Sequence, residues 1–415
     1  MIFRVELKRS LYMIVRKEAS MLLFSLIIGC VVGTLEVGFG KILLLVTSIR
    51  INSFGYWMLL LPIIGLLIEW LYKTFSQKSQ EGMGLIFKVG QGEERDIPLM
   101  LIPLVTVTTW LTHLFGGSAG REGVAVQIGA ALSSWVSKIK IFSNLDKEEF
   151  SKTAIVIGMA AGFSGLFQTP LAATFFALEV LIVGKLEMKS IFYTGIAAYT
   201  SYFVSRGLDL EKSSFVINHH VEMTPILVVK LLILGFLFSL VGLLFSVSLK
   251  QAKAYFTRWM PNNYQKIFVG GLIVAVFALV LHTGRYSGLG TNLIEASFQG
   301  EMIYSYDFLL KIMLTVLTLA VGFQGGEVTP LFAIGSSFGV VMASFMGLPI
   351  EFVAALGYVA VFGSATNTFL APILIGAEVF GYEWLPYFFI TMLTAYHCNF
   401  NVSIYGKQKN LNEYL

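Results

Sequence analysis

Gly-Gly-Ser-Ala-Gly-Arg-Glu-Gly-Val, residues 116–124, decides how this chain is read. The stretch lies between two apolar segments: a glycine-rich turn leads into a hydrophobic helix with Arg121 and Glu122 at its start. Ionisable groups at membrane depth are costly and mark function by default. Glycines let backbone approach a ligand closely, and a helix N-terminus offers unpaired N–H groups that suit an anion. A carboxylate on such a helix end competes with the anion until a proton neutralises it. The stretch therefore reads as a proton-sensitive anion gate.

Composition supplies the membrane. Of 415 residues, 56% are hydrophobic and only 13% charged, and the mean hydropathy is +0.76, well outside soluble usage. The 40 glycines fit close packing of transmembrane helices. A net charge of +4 gives no nucleic-acid signal. Arg4, Lys8, Arg9, Arg16 and Lys17 precede the first long apolar run, and the positive-inside tendency puts the N-terminus in the cytoplasm. With no cleavage site after a short apolar core, residues 1–18 are expected to form an amphipathic helix on the inner membrane surface. Cys30 and Cys398 read as unpaired packing residues. The five histidines show no metal-ligand spacing, so no metal or other cofactor is expected.

Twelve apolar runs follow, several shorter than the roughly 20 residues that span a bilayer. Others are broken, by Pro170 within 153–183 and by Pro372 within 352–380. Broken helices are tolerated in a membrane only where freed backbone groups face protein or water. The polar stretch 206–223 reads as a linker between a first membrane repeat, 19–205, and a second, 224–405, with 406–415 as a tail. Gly82-Met83-Gly84 recurs as Gly288-Leu289-Gly290, an offset of 206. Gln127-Ile128-Gly129 matches Ala333-Ile334-Gly335 at the same offset, and 170–180 aligns without gaps to 369–379. Repeated halves with broken helices are the pattern of secondary transporters, whose sites sit where the repeats meet. The repeat alone does not say whether the halves are inverted.

These blocks, with Gly-Gly-Glu-Val-Thr-Pro at 325–330 and a late Tyr405, stand in the order of the CLC chloride channel and transporter family, which the chain resembles from about 20 to 405. The resemblance implies an all-α polytopic membrane protein with inverted helical repeats, a homodimer, and an anion path in each subunit. It implies a transporter in the cell membrane rather than an enzyme, with Glu122 as the gate. Cytoplasmic regulatory domains of the kind many eukaryotic members carry are not expected.

Three departures refine the resemblance. Met83 stands where the family usually has a serine facing the anion, Glu327, Val328 and Thr329 replace a more apolar third block, and Val180 stands where chloride/proton exchangers carry an inner glutamate. Met83 together with Gly-Gly-Glu-Val-Thr-Pro resembles the fluoride-exporting branch, the CLC-type fluoride/proton antiporters. Fluoride is small and strongly hydrated, so its site must replace water with close N–H and O–H donors. Backbone amides near Gly123 and Val328, with the Thr329 and Tyr405 hydroxyls, are the expected donors. Glu327 either interacts with Glu122 or carries a proton in place of the missing inner glutamate. Its duller reading is a helix cap, as core filler is for Met83 and an interfacial anchor for Tyr405. The runner-up within the family is a chloride channel or chloride/proton exchanger. From another class comes an intramembrane serine protease, resting on Gly162-Phe163-Ser164-Gly165 with His282 or His397 as base.

Overall fold

A computed structural model describes residues 2–143, 145, 147–212 and 214–411, with side chains at all of these except 2–12, 54, 56, 147 and 148. The first half contains α1 (Ile2–Asn52), α2 (Phe54–Met58), α3 (Leu61–Phe75), α4 (Met83–Gly90), α5 (Leu101–Leu114), α6 (Glu122–Val136), α7 (Lys147–Phe167), α8 (Pro170–Glu179) and α9 (Ile191–Gly207). The second contains α10 (Pro225–Trp259), α11 (Asn263–Val280), α12 (Thr291–Gln299), α13 (Asp307–Ala320), α14 (Val328–Met346), α15 (Ile350–Thr366), α16 (Leu370–Phe380) and α17 (Leu385–His397). Five of these are long and apolar enough to cross a membrane. The described residues match an all-α polytopic fold.

The helix starts carry the repeat. Counterparts α5 and α13 begin at 101 and 307, and α6 and α14 at 122 and 328, both at the offset of 206 read from the glycine blocks. Packing repeats too. A Cβ on Gly129 would lie 2.0 Å from the Gly158 carbonyl oxygen, joining α6 to α7, and one on Gly335 would lie 2.1 Å from that of Gly357, joining α14 to α15. Lipid gives no hydrophobic drive between helices, so close van der Waals approach over small residues joins them. Any side chain at these four positions would push the helices apart.

Pro170 and Pro372 sit in the first turns of α8 and α16, where a missing N–H costs no intrahelical bond. The two short helices cap each other. Glu378, near the end of α16, accepts from the amides of Leu171 (3.1 Å) and Ala172 (2.8 Å) at the start of α8. Glu179, at the end of α8, accepts from Leu370 (3.1 Å) and Ala371 (2.9 Å) at the start of α16. Each half thus supplies the carboxylate that satisfies the other half's orphan donors.

The halves are inverted. One cleft is lined by Gly82, Met83 and Gly84 together with Lys253 and Thr257 from the last turns of α10. A second is lined by Leu289 and Gly290 together with Thr47, Arg50 and Ile51 from the last turns of α1. Each half's long first helix therefore ends on the other half's glycine turn. Lys17, near the start of α1, pairs with Glu149, which shares a pocket with Gly90 at the end of α4 (Met83–Gly90). So α1 begins on the side where α10 ends and the two run antiparallel, as a two-fold axis lying across the helices requires.

One boundary differs from the sequence expectation. α1 runs through residue 18 without a break, so no separate helix ends there; the side chains of 1–12, on which the amphipathic reading falls, lie outside the described residues. The chain after Tyr405 is tied down: Lys409–Asn410 pairs in parallel with Ile182–Val183, and Gln408 donates to the Val180 carbonyl at 2.8 Å. Val180 is fully buried there, as packing.

Candidate ion-exchange site

The two helix starts meet at the centre of the repeat. Gly120 and Gly326, equivalent residues, exchange backbone hydrogen bonds of 2.5 and 2.8 Å as an isolated antiparallel bridge. A Cβ on Gly120 would come within 2.9 Å of the Gly326 carbonyl oxygen, so only glycine permits this approach. The bridge brings the N-termini of α6 and α14 together.

Glu122 is the first residue of α6, and its side chain is fully buried. It reaches across to α14, where Oε2 accepts from the Thr329 amide (3.2 Å) and, closely, from the Thr329 hydroxyl. The Arg121 amide donates to the same oxygen at 3.3 Å, and the Arg121 guanidinium lies 3.5 Å from Oε1. The carboxylate is thereby seated on the N-terminus of the opposite helix, where the macrodipole and free amides favour an anion.

Glu327 completes a crossed arrangement. It holds the N-cap position of α14, which the repeat equates with Arg121 rather than with Glu122. Its Oε2 lies 3.7 Å from where a Cβ on Gly123 would stand, beside the start of α6. Each helix N-terminus thus faces an acid from the other half. Glu327 also opens onto the cleft of about 430 Å³ lined by Met83, Gln127, Lys253, Lys266, Lys407 and Tyr405.

The structure sorts the seven residues singled out in the sequence into two groups. Met83, Glu327 and Tyr405 line the cleft, with Tyr405 only 6% exposed and its ring 5.1 Å from that of Phe87. Glu122, Gly123, Val328 and Thr329 lie buried immediately behind it. Sequence reading passed over two buried ionisable residues nearby. Glu36 in α1 is fully buried with neither carboxylate oxygen hydrogen-bonded, and Arg121 is the charged group that acts on it. Lys311 in α13 is fully buried and donates to Ser118 Oγ (2.9 Å), the Gly288 carbonyl (2.8 Å) and the Tyr286 carbonyl (3.0 Å). The available signal was a lone charge inside an apolar run.

The protease reading fails on geometry. Ser164 is fully buried and donates to the Ala198 carbonyl at 2.7 Å. His282 pairs instead with the Tyr306 hydroxyl, and among the described residues no histidine bonds Ser164. Nothing there is set up to remove a proton from the serine.

Comparison with known proteins gives the same architecture. A "Chloride/fluoride channel protein" of Pseudomonas syringae pv. tomato is 34% identical over 84% of this chain and 78% of its own length. The "H(+)/Cl(-) exchange transporter ClcA" of Yersinia pseudotuberculosis is 26% identical over 86% of this chain and 80% of its own. The solved structure of "a CLC-type fluoride/proton antiporter" is 51% identical, covers 94% of this chain and 98% of its own, and superposes with a TM-score of 0.92. A slow cyanobacterial Cl-/H+ antiporter, 20% identical with a TM-score of 0.81 over 93% of this chain and 96% of its own, shares the fold. The family model described as "Voltage gated chloride channel" matches residues 64–399. With that match over most of its length and the crossed helix starts at its centre, the chain belongs to the CLC chloride channel and transporter family.

Proposed function

We propose that this chain exports fluoride in exchange for protons, with Glu122 as the gate. The observation that carries the reading is the Glu122 carboxylate seated on the N-terminus of α14, held by the Thr329 amide and hydroxyl. Fluoride needs the same donors, so carboxylate and ion compete for one place. A proton on Glu122 removes its charge and weakens its hold, since charge-assisted hydrogen bonds are roughly twice as strong as neutral ones. The neutral side chain swings away, fluoride takes the vacated donors, and return of the carboxylate expels the ion as the proton leaves. Gate and ion cannot both be seated, and exchange follows because Glu122 takes its proton from the side to which fluoride is released.

Selectivity rests on the cleft. Met83 offers no hydroxyl at the glycine turn where a chloride-type site would have one, which leaves Thr329, the amides near Gly123 and Val328, and Tyr405 as donors. Tight donors favour the small, hard anion over chloride. Glu327, open to the cleft and beside the start of α6, is the second acid of the cycle: it exchanges protons with the cleft or hydrogen-bonds Glu122 when protonated. The 51% identity to an antiporter of this type favours the fluoride reading over a chloride channel or chloride/proton exchanger.

The working form is a homodimer with one ion path per subunit, embedded in the lipid of the cell membrane with the N-terminus in the cytoplasm. It moves ions and protons and performs no covalent chemistry. Proteoliposomes loaded with fluoride or chloride test the reading through anion efflux and proton uptake recorded together. Fluoride efflux with proton uptake, and little chloride efflux, is expected. Chloride efflux as fast as fluoride would return the chain to the chloride branch.

A further inference from the structure

The cleft at the end of α1 has no part in the gate, and its chemistry is that of an anion site. It is about 580 Å³ in volume. Its floor is the turn Gly288-Leu289-Gly290 leading into α12, the repeat counterpart of the Gly82-Met83-Gly84 turn. Gly290 holds the N-cap position in a left-handed conformation (φ +90°), and no side chain caps the helix, so the amides of Thr291 and Asn292 face the cleft without a side-chain acceptor.

Three side chains with donors to spare line the same cleft. Ser287, only 2% exposed, has a hydroxyl with no hydrogen-bond partner, and so does Thr47 from the last turns of α1. Arg50, only 5% exposed, spends one nitrogen on a long 3.4 Å contact with the His113 carbonyl and enters no ion pair among the described residues. Buried hydroxyls without partners are rare in native proteins and call for an explanation. A buried guanidinium without a counter-ion calls for one more strongly. Behind the turn, Lys311 is fully buried and spends its donors on Ser118 Oγ and the Gly288 and Tyr286 carbonyls. Arg285, on the rim, is neutralised by Asp307 at 2.8 Å, and no acid lines the cleft.

We infer that this cleft binds a small inorganic anion, held by the start of α12, the Ser287 and Thr47 hydroxyls and Arg50. An anion satisfies all of these groups together: it takes the two free helix amides, gives both hydroxyls an acceptor and pairs the lone guanidinium. A cation would meet Arg50, and an apolar ligand would leave every donor orphaned. Phosphate-sized oxyanions and halides share this chemistry, but single-point hydroxyl and amide donors around one arginine favour a halide.

The site lies at the membrane face opposite the Met83 cleft. Lys17, near the start of α1, pairs with Glu149, and Glu149 and Gly90, which ends α4, line one pocket. Arg50 stands 33 residues further along the same helix, about 50 Å away at 1.5 Å per residue. It is tied to the gate block through the turn: the Gly288 amide donates to the Gly117 carbonyl at 2.9 Å, and Lys311 bridges Gly288 to Ser118. Two sources offer such an anion there, fluoride that has passed the gate and halide already in the medium.

Bromide soaked into crystals of the full-length protein tests the assignment, because its anomalous scattering locates it. The expected result is a peak within hydrogen-bond reach of Ser287 Oγ and the 291–292 amides. It should be lost in Arg50→Met and weakened in Ser287→Ala. Neither residue belongs to the gate, so both variants should keep Glu122 seated. Bromide titrated calorimetrically into the detergent-solubilised protein should give a dissociation constant raised about tenfold by Ser287→Ala. Fluoride added to the soak distinguishes the sources: displacement of the peak assigns the site to the exported ion, and persistence assigns it to halide in the medium. No peak in the wild type, a peak equally strong in both variants, or a signal at crystal concentration only would overturn the inference.

Discussion

Replacing Glu122 by Gln removes a charge and a proton-exchanging group while keeping the side chain's volume. In the wild type, Oε2 receives three donors, from the Thr329 amide, the Thr329 hydroxyl and the Arg121 amide. An amide oxygen in the same place accepts from them as a neutral group. If each bond loses about 1 kcal/mol with its charge assistance, the closed gate is weakened by about 3 kcal/mol, or roughly a hundredfold in its closed-to-open ratio. Because the three bonds converge on one oxygen, their losses do not add fully, and about tenfold is the lower bound. The loosened gate cannot take up a proton at all. Proton uptake should therefore fall to background in proteoliposomes holding a fluoride gradient, and any remaining fluoride efflux should be independent of the pH gradient. A fluoride electrode and an external pH electrode, read together, give the coupling ratio directly. Proton uptake that still tracks fluoride efflux in Glu122→Gln would refute the gate assignment.

Glu327→Gln should strongly reduce fluoride/proton exchange while leaving the dimer intact by size-exclusion chromatography; near-normal exchange in the folded variant would reduce Glu327 to a helix cap. Met83→Ser restores the hydroxyl of a chloride-type turn and should raise chloride efflux relative to fluoride, measured in matched proteoliposomes; an unchanged ratio would show that other donors set selectivity. Glu378→Ala and Glu179→Ala each strip two amides of a carboxylate at a helix start, and each should cost about 2–4 kcal/mol, read as a lowered melting temperature in detergent. Wild-type melting in both variants would mean that water caps α8 and α16 equally well.

Much of this site was legible in the sequence because its chemistry is rare in a membrane. Glu122 and Arg121 stand out as charges inside an apolar block, and no packing role explains both them and the flanking glycines. The 206-residue offset between glycine turns recurs between the starts of α5 and α13 and of α6 and α14, since turns and close helix contacts tolerate few residues other than glycine. The broken helices at Pro170 and Pro372 were visible for the same local reason: proline fixes φ and removes a donor wherever it stands.

Partnership across the halves was not legible. Glu179 and Glu378 appear in the sequence as a repeated acid near the end of each short helix, and only the fold turns them into reciprocal caps. Nothing local says that Glu122 reaches Thr329, 207 residues away, or that Glu327 lies beside Gly123. The orphaned Glu36 and the donors gathered around Arg50 also come only from the assembled molecule. Composition, glycine spacing and proline position are properties of the chain's local chemistry, so the sequence by itself determined the membrane fold and marked Glu122 as the candidate gate. Which donor faces which acid depends on two distant helix ends meeting about a two-fold axis, and that geometry was decided by tertiary structure alone.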